Sequence, residues 1–383
     1  MAGIFYLQIM CCTVNLLTKI DFKKMDNKFW KNKRVMITGN TGFKGSWLSR
    51  ILLIAGADVY GYALENSDKY SIFNTISLEK EMHCFYGDIC DEIKLSEIIS
   101  ETSPEIVFHL AAQPIVRRSY DDPVYTYRTN VIGTANLLNC LRKCDNLRSV
   151  VNVTTDKVYE NNESGDPFRE SDRLGGYDPY SGSKACSELV TSTFVSSFFN
   201  PEQYGISHSA AVATARAGNV IGGGDNAPDR IIPDCIRAVR ENRTVTLRNP
   251  GAVRPWQHVL EPLALYIVLA EKLYEKGTEY SDAYNVGPSL KDCMCVEEIV
   301  KKMQSYIPAL KYALGISESR NEPHEAEKLT LATDKIEKVL GFRNKWGIDD
   351  CIRNTAVWYS DQLSGKDMRV VTDKMIQEYF EEL

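Results

Sequence analysis

From Lys33 the chain alternates short apolar runs with stretches whose apolar side chains recur every three to four residues, the marks of buried strands and amphipathic helices. Val35–Thr38 reads as a first strand, and Lys44–Ala55 as a helix with Trp47, Leu48, Ile51 and Leu52 on one face. Asp58–Leu64 and His83–Tyr86 read as the second and third strands, the latter closing on Gly87 and Asp88. A helix over Asp91–Ser100 leads past Pro104 to a fourth strand, Ile106–Leu110. A long helix over Tyr127–Lys143 leads to a fifth, Ser149–Val153. Ser181–Phe198 reads as helical and Ala210–Arg216 as a sixth strand. Strand–helix repetition at this spacing predicts parallel strands joined by crossover helices: an α/β chain with a doubly wound parallel sheet.

After Asn219 the rhythm breaks. Gly222-Gly223-Gly224-Asp225 marks a loop, and shorter pieces follow, among them Thr244–Arg248, Pro262–Leu273 and a tail helix over Ile348–Gln362. The change predicts a smaller, partly interleaved C-terminal unit closing over the sheet. In such sheets ligands bind beyond the carboxyl ends of the strands, and the polar motifs of this chain fall at those ends.

The first strand runs into Gly39-Asn40-Thr41-Gly42-Phe43-Lys44-Gly45. Its glycines permit a tight turn, close approach to a pyrophosphate and seating of the next helix, whose free N–H groups face the anion. The spacing is G-x-x-G-x-x-G. At the second strand's end no acid stands cleanly to take an adenosine ribose, and no arginine stands there to take a 2′-phosphate, so NAD is favoured over NADP. Asp88 and Ile89 follow the third strand, either to meet the adenine or, for Asp88, to cap a helix. Leu110-Ala111-Ala112-Gln113 follows the fourth strand, small enough to let backbone pass a cofactor closely.

Thr154-Thr155-Asp156-Lys157 follows the fifth strand, and Tyr180-Ser181-Gly182-Ser183-Lys184 opens a helix. A tyrosine with its reference pKa near 10 is a poor base at neutral pH. A lysine one helical turn away is expected to lower that pKa. Thr155 is placed to bond the same substrate hydroxyl, and Asp156 and Lys157 add an acid and a potential base. Together the three motifs point to redox chemistry at a sugar-like alcohol using a bound nicotinamide.

Composition narrows this further. The 383 residues carry a formal charge of −6, which gives no footprint for nucleic acid. Eleven cysteines and five histidines are dispersed without metal-ligand spacing, so no metal is expected, and free thiols fit a reducing, cytoplasmic compartment. Ile4–Leu17 is mildly apolar but includes Gln8, Thr13 and Asn15, too short and polar to span a bilayer. The expected division is therefore 1–24 as an extension outside the fold, 25–218 as an NAD-binding Rossmann-like domain with the catalytic residues, and 219–383 as mainly substrate-binding.

Five segments carry a family resemblance: Gly39–Leu48, His109–Pro114, Gly175–Ser181, Arg216–Asp225 and Arg254–Val259. Over roughly Trp30 to Trp358 the chain resembles the extended short-chain dehydrogenase/reductase family, and within it the nucleotide-sugar 4,6-dehydratases, on the side of those acting on CDP-glucose. The resemblance implies a tightly held NAD recycled within one turnover. Tyr180 would take the glucose 4-hydroxyl proton as hydride leaves C4, and Lys184 would hold the nicotinamide ribose. The 4-ketone acidifies C5, a base removes that proton, Asp156 protonates the departing 6-hydroxyl, and hydride returns to C6. Related dTDP-glucose and GDP-mannose enzymes have a glutamate where Lys157 stands. As a base Lys157 must be neutral, which requires a lowered pKa; as a cation it would stabilise the enolate. Asn219, Arg230 and Arg254 resemble nucleotide-sugar contacts, with His258 near them, and Arg117 or Arg118 is a further candidate. The resemblance also implies a deoxysugar pathway of the lipopolysaccharide O-antigen kind, no membrane partner, and a homodimer built by Tyr127–Lys143 and Ser181–Phe198 packing across a twofold.

Two other readings stay open. A 4-epimerase or reductase of the same fold needs only Tyr180, Lys184 and a hydroxyl such as Thr155. A nucleotide-binding regulator without turnover is the third.

Overall fold

The computed structural model describes residues 27–161, 165–315 and 329–380; the expected extension over 1–24 lies outside them. Seven strands form the main sheet: β1 (Arg34–Thr38), β2 (Asp58–Ala63), β3 (His83–Tyr86), β4 (Ile106–His109), β5 (Ser149–Thr155), β6 (Ala211–Ala217) and β7 (Ala283–Val286). Their order is β7-β6-β5-β4-β1-β2-β3, and every pairing is parallel. Parallel strands covered on both faces read as continuous apolar runs. Accordingly every residue of β5 and β6 is buried.

Alternate side chains of β1 enter two cores. Met36 joins Val107, Val150 and Leu137 on one face. Val35 and Ile37 join Trp47, Leu263, Trp358 and Ile376 on the other. That second core takes in the C-terminal segment, so the chain after 219 shares apolar packing with the sheet. β7 carries the interleaving furthest, pairing with β6 from Ala283↔Thr214 to Val286↔Ala217. The pattern after Asn219 did not reveal β7, because Ala283-Tyr284-Asn285-Val286 is no continuous apolar run: polar Asn285 interrupts it.

The strand order reverses between β1 and β4, which opens the crevice where ligands bind in such sheets. Backbones meet closely there. Gly39 has φ +77°, and a Cβ on it would sit 2.8 Å from the Ala111 nitrogen. A Cβ on Gly45 would sit 2.2 Å from the Gly39 carbonyl oxygen. The helix expected over Tyr127–Lys143 is broken into Pro123–Tyr127, a π-turn over Arg128–Ile132, and Gly133–Leu141. The π-turn aims Asn130 at both the Gln113 backbone and Ser183: its Oδ1 accepts from Gln113 N at 2.8 Å, and its Nδ2 donates to Gln113 O at 3.1 Å and Ser183 Oγ at 2.8 Å. The strand-end loop and the Tyr180 helix are thereby tied together.

Candidate active site

One cleft of about 1190 Å³ runs along the carboxyl ends of the strands, large enough for two ligands end to end. Gly39, Thr41, Gly42, Phe43, Lys44 and Gly45 line one wall. The Phe43–Ile54 helix starts here with Gly42 at its N-cap and no side-chain cap, so its first amides face the cleft as an anion site needs. Asp88 and Ile89, then Leu110, Ala111 and Ala112, continue the wall. Asp88 does not cap the following helix. Its Oδ1 accepts from Cys90 N at 2.9 Å, while Asp91 is the cap. Gln113 turns away from the cleft: its side chain is spent on Ile115 N and O and on Thr126 Oγ1. The acid missing from the end of β2 is not supplied by Glu65. Asn66 and Asp68, further along the loop, line the cleft instead, and Asn66 Nδ2 donates to Thr41 O at 2.8 Å.

The catalytic candidates gather at the end of β5. The capping box of Asp178 and Ser181 starts the Pro179–Phe198 helix and sets Tyr180 and Lys184 on the face toward β5. The Thr155 hydroxyl faces the Tyr180 phenol. Thr155 Oγ1 donates to Asp156 Oδ1 at 3.0 Å, and Lys157 Nζ donates to the same oxygen at 3.3 Å. Asp156 is almost wholly buried, and a Cβ on Gly218 would lie 3.1 Å from its Oδ2, so the small residue leaves the carboxylate room.

Burial pushes the Tyr180 phenol up, and the Thr155 hydroxyl and the Lys157 and Arg230 cations oppose it. Lys184, one helical turn on, donates its Nζ to Val153 O at 3.1 Å, and burial brings its pKa down to about 8 against the pull of Glu188. For Lys157 the sequence left both a neutral base and a cation open. Burial alone would lower it, but Asp156 and Tyr180 more than offset that and leave it raised, an ammonium paired with Asp156. Lys44 is brought down to about 7 by burial and by the Arg230 and Lys184 charges.

The other half of the cleft is lined by Asn219, Arg230 and Arg254. Arg230 Nη1 is 2.8 Å from Asp225 Oδ2. Arg117 lines the cleft and Arg118 does not; Arg118 stacks over the Tyr125 ring at 4.7 Å. His258 stays outside the cleft. It is fully buried, edge-on to Trp47 and Trp346 at centroid distances of 6.1 and 4.9 Å, because the short Gln257–His258 strand pairs inward with Val220–Ile221. Burial lowers its pKa to about 3 and keeps it neutral. Sequence reading passed over Asp225, Arg243 and Arg248, which also line this half. Asp225 was read only as part of the glycine loop and of a resemblance segment, and the two arginines signalled only charge within a loop-rich stretch. Among the described residues, no group of three or more His, Cys, Asp or Glu side chains is placed to hold a metal ion.

The family model described as GDP-mannose 4,6 dehydratase matches residues 36–355. A CDP-glucose 4,6-dehydratase of Salmonella typhimurium is 46% identical, covering 93% of this chain and 98% of that protein. A dTDP-glucose 4,6-dehydratase of Shigella flexneri is 27% identical over 85% of this chain and 92% of its own length. Among solved structures, a dTDP-glucose 4,6-dehydratase from Streptomyces venezuelae with NAD and TYD bound superposes with a TM-score of 0.70 at 25% identity, covering 87% of this chain and 98% of that one. A UDP-glucose 4-epimerase from Brucella ovis in complex with NAD shares the fold with a TM-score of 0.71 at 22% identity, covering 86% and 98%.

Proposed function

From the membership of this chain in the GDP-mannose 4,6-dehydratase family, we infer that it is a hydro-lyase converting CDP-glucose to CDP-4-keto-6-deoxyglucose and water with bound NAD, a step of deoxysugar biosynthesis. The observation that carries this is the contact of buried Asp156 with part-buried Lys157, beside Tyr180 and Thr155. A 4-epimerase has no task for such a pair.

The glycine turn, the uncapped helix start, and Asp88 through Ala112 form a wall fitting NAD, with Tyr180 and Lys184 at its nicotinamide end. When bound, NAD accepts the C4 hydride and returns it at C6. Tyr180 takes the proton of the 4-hydroxyl, with Thr155 holding that oxygen, and Lys184 would hold the cofactor at its ribose. Asp156 and Lys157 begin as an ion pair. One proton moving across their 3.3 Å contact gives a carboxylic acid and a neutral amine, the two groups elimination needs. Lys157 Nζ then takes the C5 proton while Asp156 gives its proton to the departing 6-hydroxyl; as hydride reaches C6, Lys157 returns a proton to C5, and the proton that Tyr180 took from the 4-hydroxyl replaces it, which restores the ion pair and the phenolate. Arg230, Arg254 and Asn219 receive the diphosphate and sugar; planar guanidiniums suit a diphosphate. The domain division at 219 fits this use of the two cleft halves.

We also propose a homodimer. Val124, Tyr127 and Ile132 on one side, and Leu189 and Phe198 on the other, are exposed apolar residues on the two neighbouring helical segments. Light scattering is expected to give twice the chain mass; a single-chain mass contradicts this part. A cytoplasmic setting and an O-antigen-type pathway complete the proposal. The free thiols of all nine described cysteines support the setting.

Incubation with CDP-glucose and analysis by mass spectrometry and NMR tests the activity. A product lacking one water, with a 4-ketone and a C6 methyl, is expected. Inversion at C4 with the 6-hydroxyl intact, or reaction only of another nucleotide sugar, overturns it.

A further inference from the structure

Behind the catalytic face lies a second acid–base pair that the reaction does not touch. Tyr180, Lys184 and Glu188 follow at four-residue spacing on the Pro179–Phe198 helix, which stacks them along one side. The Glu188 and Arg216 side chains are 4% and 5% exposed. Arg216 Nε lies 2.9 Å from both Glu188 oxygens and Nη2 2.6 Å from Oε2. Thr154 Oγ1 donates to Glu188 Oε1 at 2.5 Å. On its far side Arg216 Nη1 donates to Tyr159 Oη at 2.7 Å, and that hydroxyl donates to Asn285 Oδ1 at 2.6 Å. The pair therefore grips the chain one residue before Thr155 and two residues after Lys157.

A buried ion pair is a weak way to stabilise a fold, since apolar side chains of equal volume often do as well. What it alone supplies is a fixed charge in a dry interior. We propose that Glu188 and Arg216 form a positioning pair that clamps the Thr155–Lys157 turn against the Tyr180 helix and holds Lys184 in its charged form for NAD. This rests on the assignment of Lys184 to the cofactor in the proposed function.

The groups facing Lys184 are few. Glu188 and, one turn before Lys184, the Tyr180 phenol act from its own helix, Lys44 from the Phe43–Ile54 helix and His109 from β4. Burial brings His109 down to about 3, so it stays neutral. Lys44 repels Lys184 while charged. Glu188 is left as the anion that opposes desolvation of the ammonium, and Arg216 sits behind it.

The order of effects follows. Glu188→Gln removes the anion and strands the Arg216 cation, so Lys184 loses its proton at lower pH. Arg216→Met strands the Glu188 anion, so Lys184 keeps its proton to higher pH. The double variant carries no unpaired charge; because Glu188 is the nearer member, its midpoint falls between Glu188→Gln and the parent. The test is NAD affinity against pH on the full chain, followed by tryptophan fluorescence, with melting curves beside it. The midpoint above which affinity weakens should drop by about one pH unit in Glu188→Gln and rise in Arg216→Met. Shifts in the same direction for both, or an unshifted double variant that melts like the parent, overturn the proposal. The double variant decides alone if the single ones fail to fold. A parent that binds NAD but leaves CDP-glucose unchanged refutes the function and leaves this ordering testable. Normal turnover with coincident midpoints refutes only the pair.

Discussion

Tyr180, Thr155, Asp156 and Lys157 make one connected set, and each has a separable consequence. Tyr180→Phe removes the group that takes the 4-hydroxyl proton but leaves the cleft wall intact. Turnover should fall by about 10²–10⁴-fold with NAD affinity within a few-fold of the parent, as stopped-assay kinetics and NAD titration will show. Asp156→Asn leaves C4 oxidation available and removes the acid for the 6-hydroxyl. Rapid quenching should then find CDP-4-ketoglucose and reduced cofactor but little loss of water. Motif spacing placed these residues because strand ends and the first turn of a helix follow from local pattern. It did not tell which way a side chain points. Gln113 and His258 sit inside legible motifs, yet each turns into the protein, one to bond Thr126 and the Ile115 backbone and one to pack between two tryptophans. The charge on Lys157 was equally out of reach, since it depends on a contact with Asp156 that only packing creates.

At the scale of elements, the glycine turn is the part most tightly determined by sterics. A methyl at Gly45 would press the Gly39 carbonyl and the Asn40 backbone, neither of which can yield without moving the turn. Gly45→Ala should cost about 1–3 kcal/mol of stability and weaken NAD binding at least tenfold, measured by urea unfolding and by titration. Unchanged values for both would show that the turn is not held by this close approach. The first six strands and their helices were legible because each is a run of apolar residues bounded by turn residues. The π-turn at Arg128–Ile132 was not, because a single wide turn spans too few residues to show a change of period in the apolar pattern. Nor was the terminal helix, Met368–Phe380. Its buried Thr372 donates no apolar signal, but accepts a hydrogen bond from Trp358 Nε1 at 3.0 Å.

Over the whole molecule, the C-terminal segment is held to the sheet by buried groups with displaced ionisation. Glu261 Oε1 accepts from Trp346 N at 2.7 Å and its Oε2 from Tyr379 Oη at 2.8 Å, while burial raises its pKa to about 7. His109 and His258 are buried and lowered to about 3. Between pH 4.5 and 6.5 the unfolded chain gains two protons at these histidines, and the folded chain holds one more at Glu261. The difference is one proton taken up on unfolding, so these groups make stability fall by about 1.4 kcal/mol per pH unit as pH drops through this window. Urea unfolding at pH 6.5 and 5.0 should show that decline, and a steeper one in Glu261→Gln, which removes the opposing group. Equal stability at both pH values would contradict the burial described for the two histidines.

The central claim is that one cleft oxidises C4, removes water across C5 and C6, and reduces C6 with the same hydride. Turnover of CDP-glucose carrying deuterium at C4 tests it most directly, with NMR and mass spectrometry reading the label's position. The account predicts deuterium in the C6 methyl of CDP-4-keto-6-deoxyglucose. Deuterium still at C4 of an intact hexose, or lost from the sugar altogether, would contradict it.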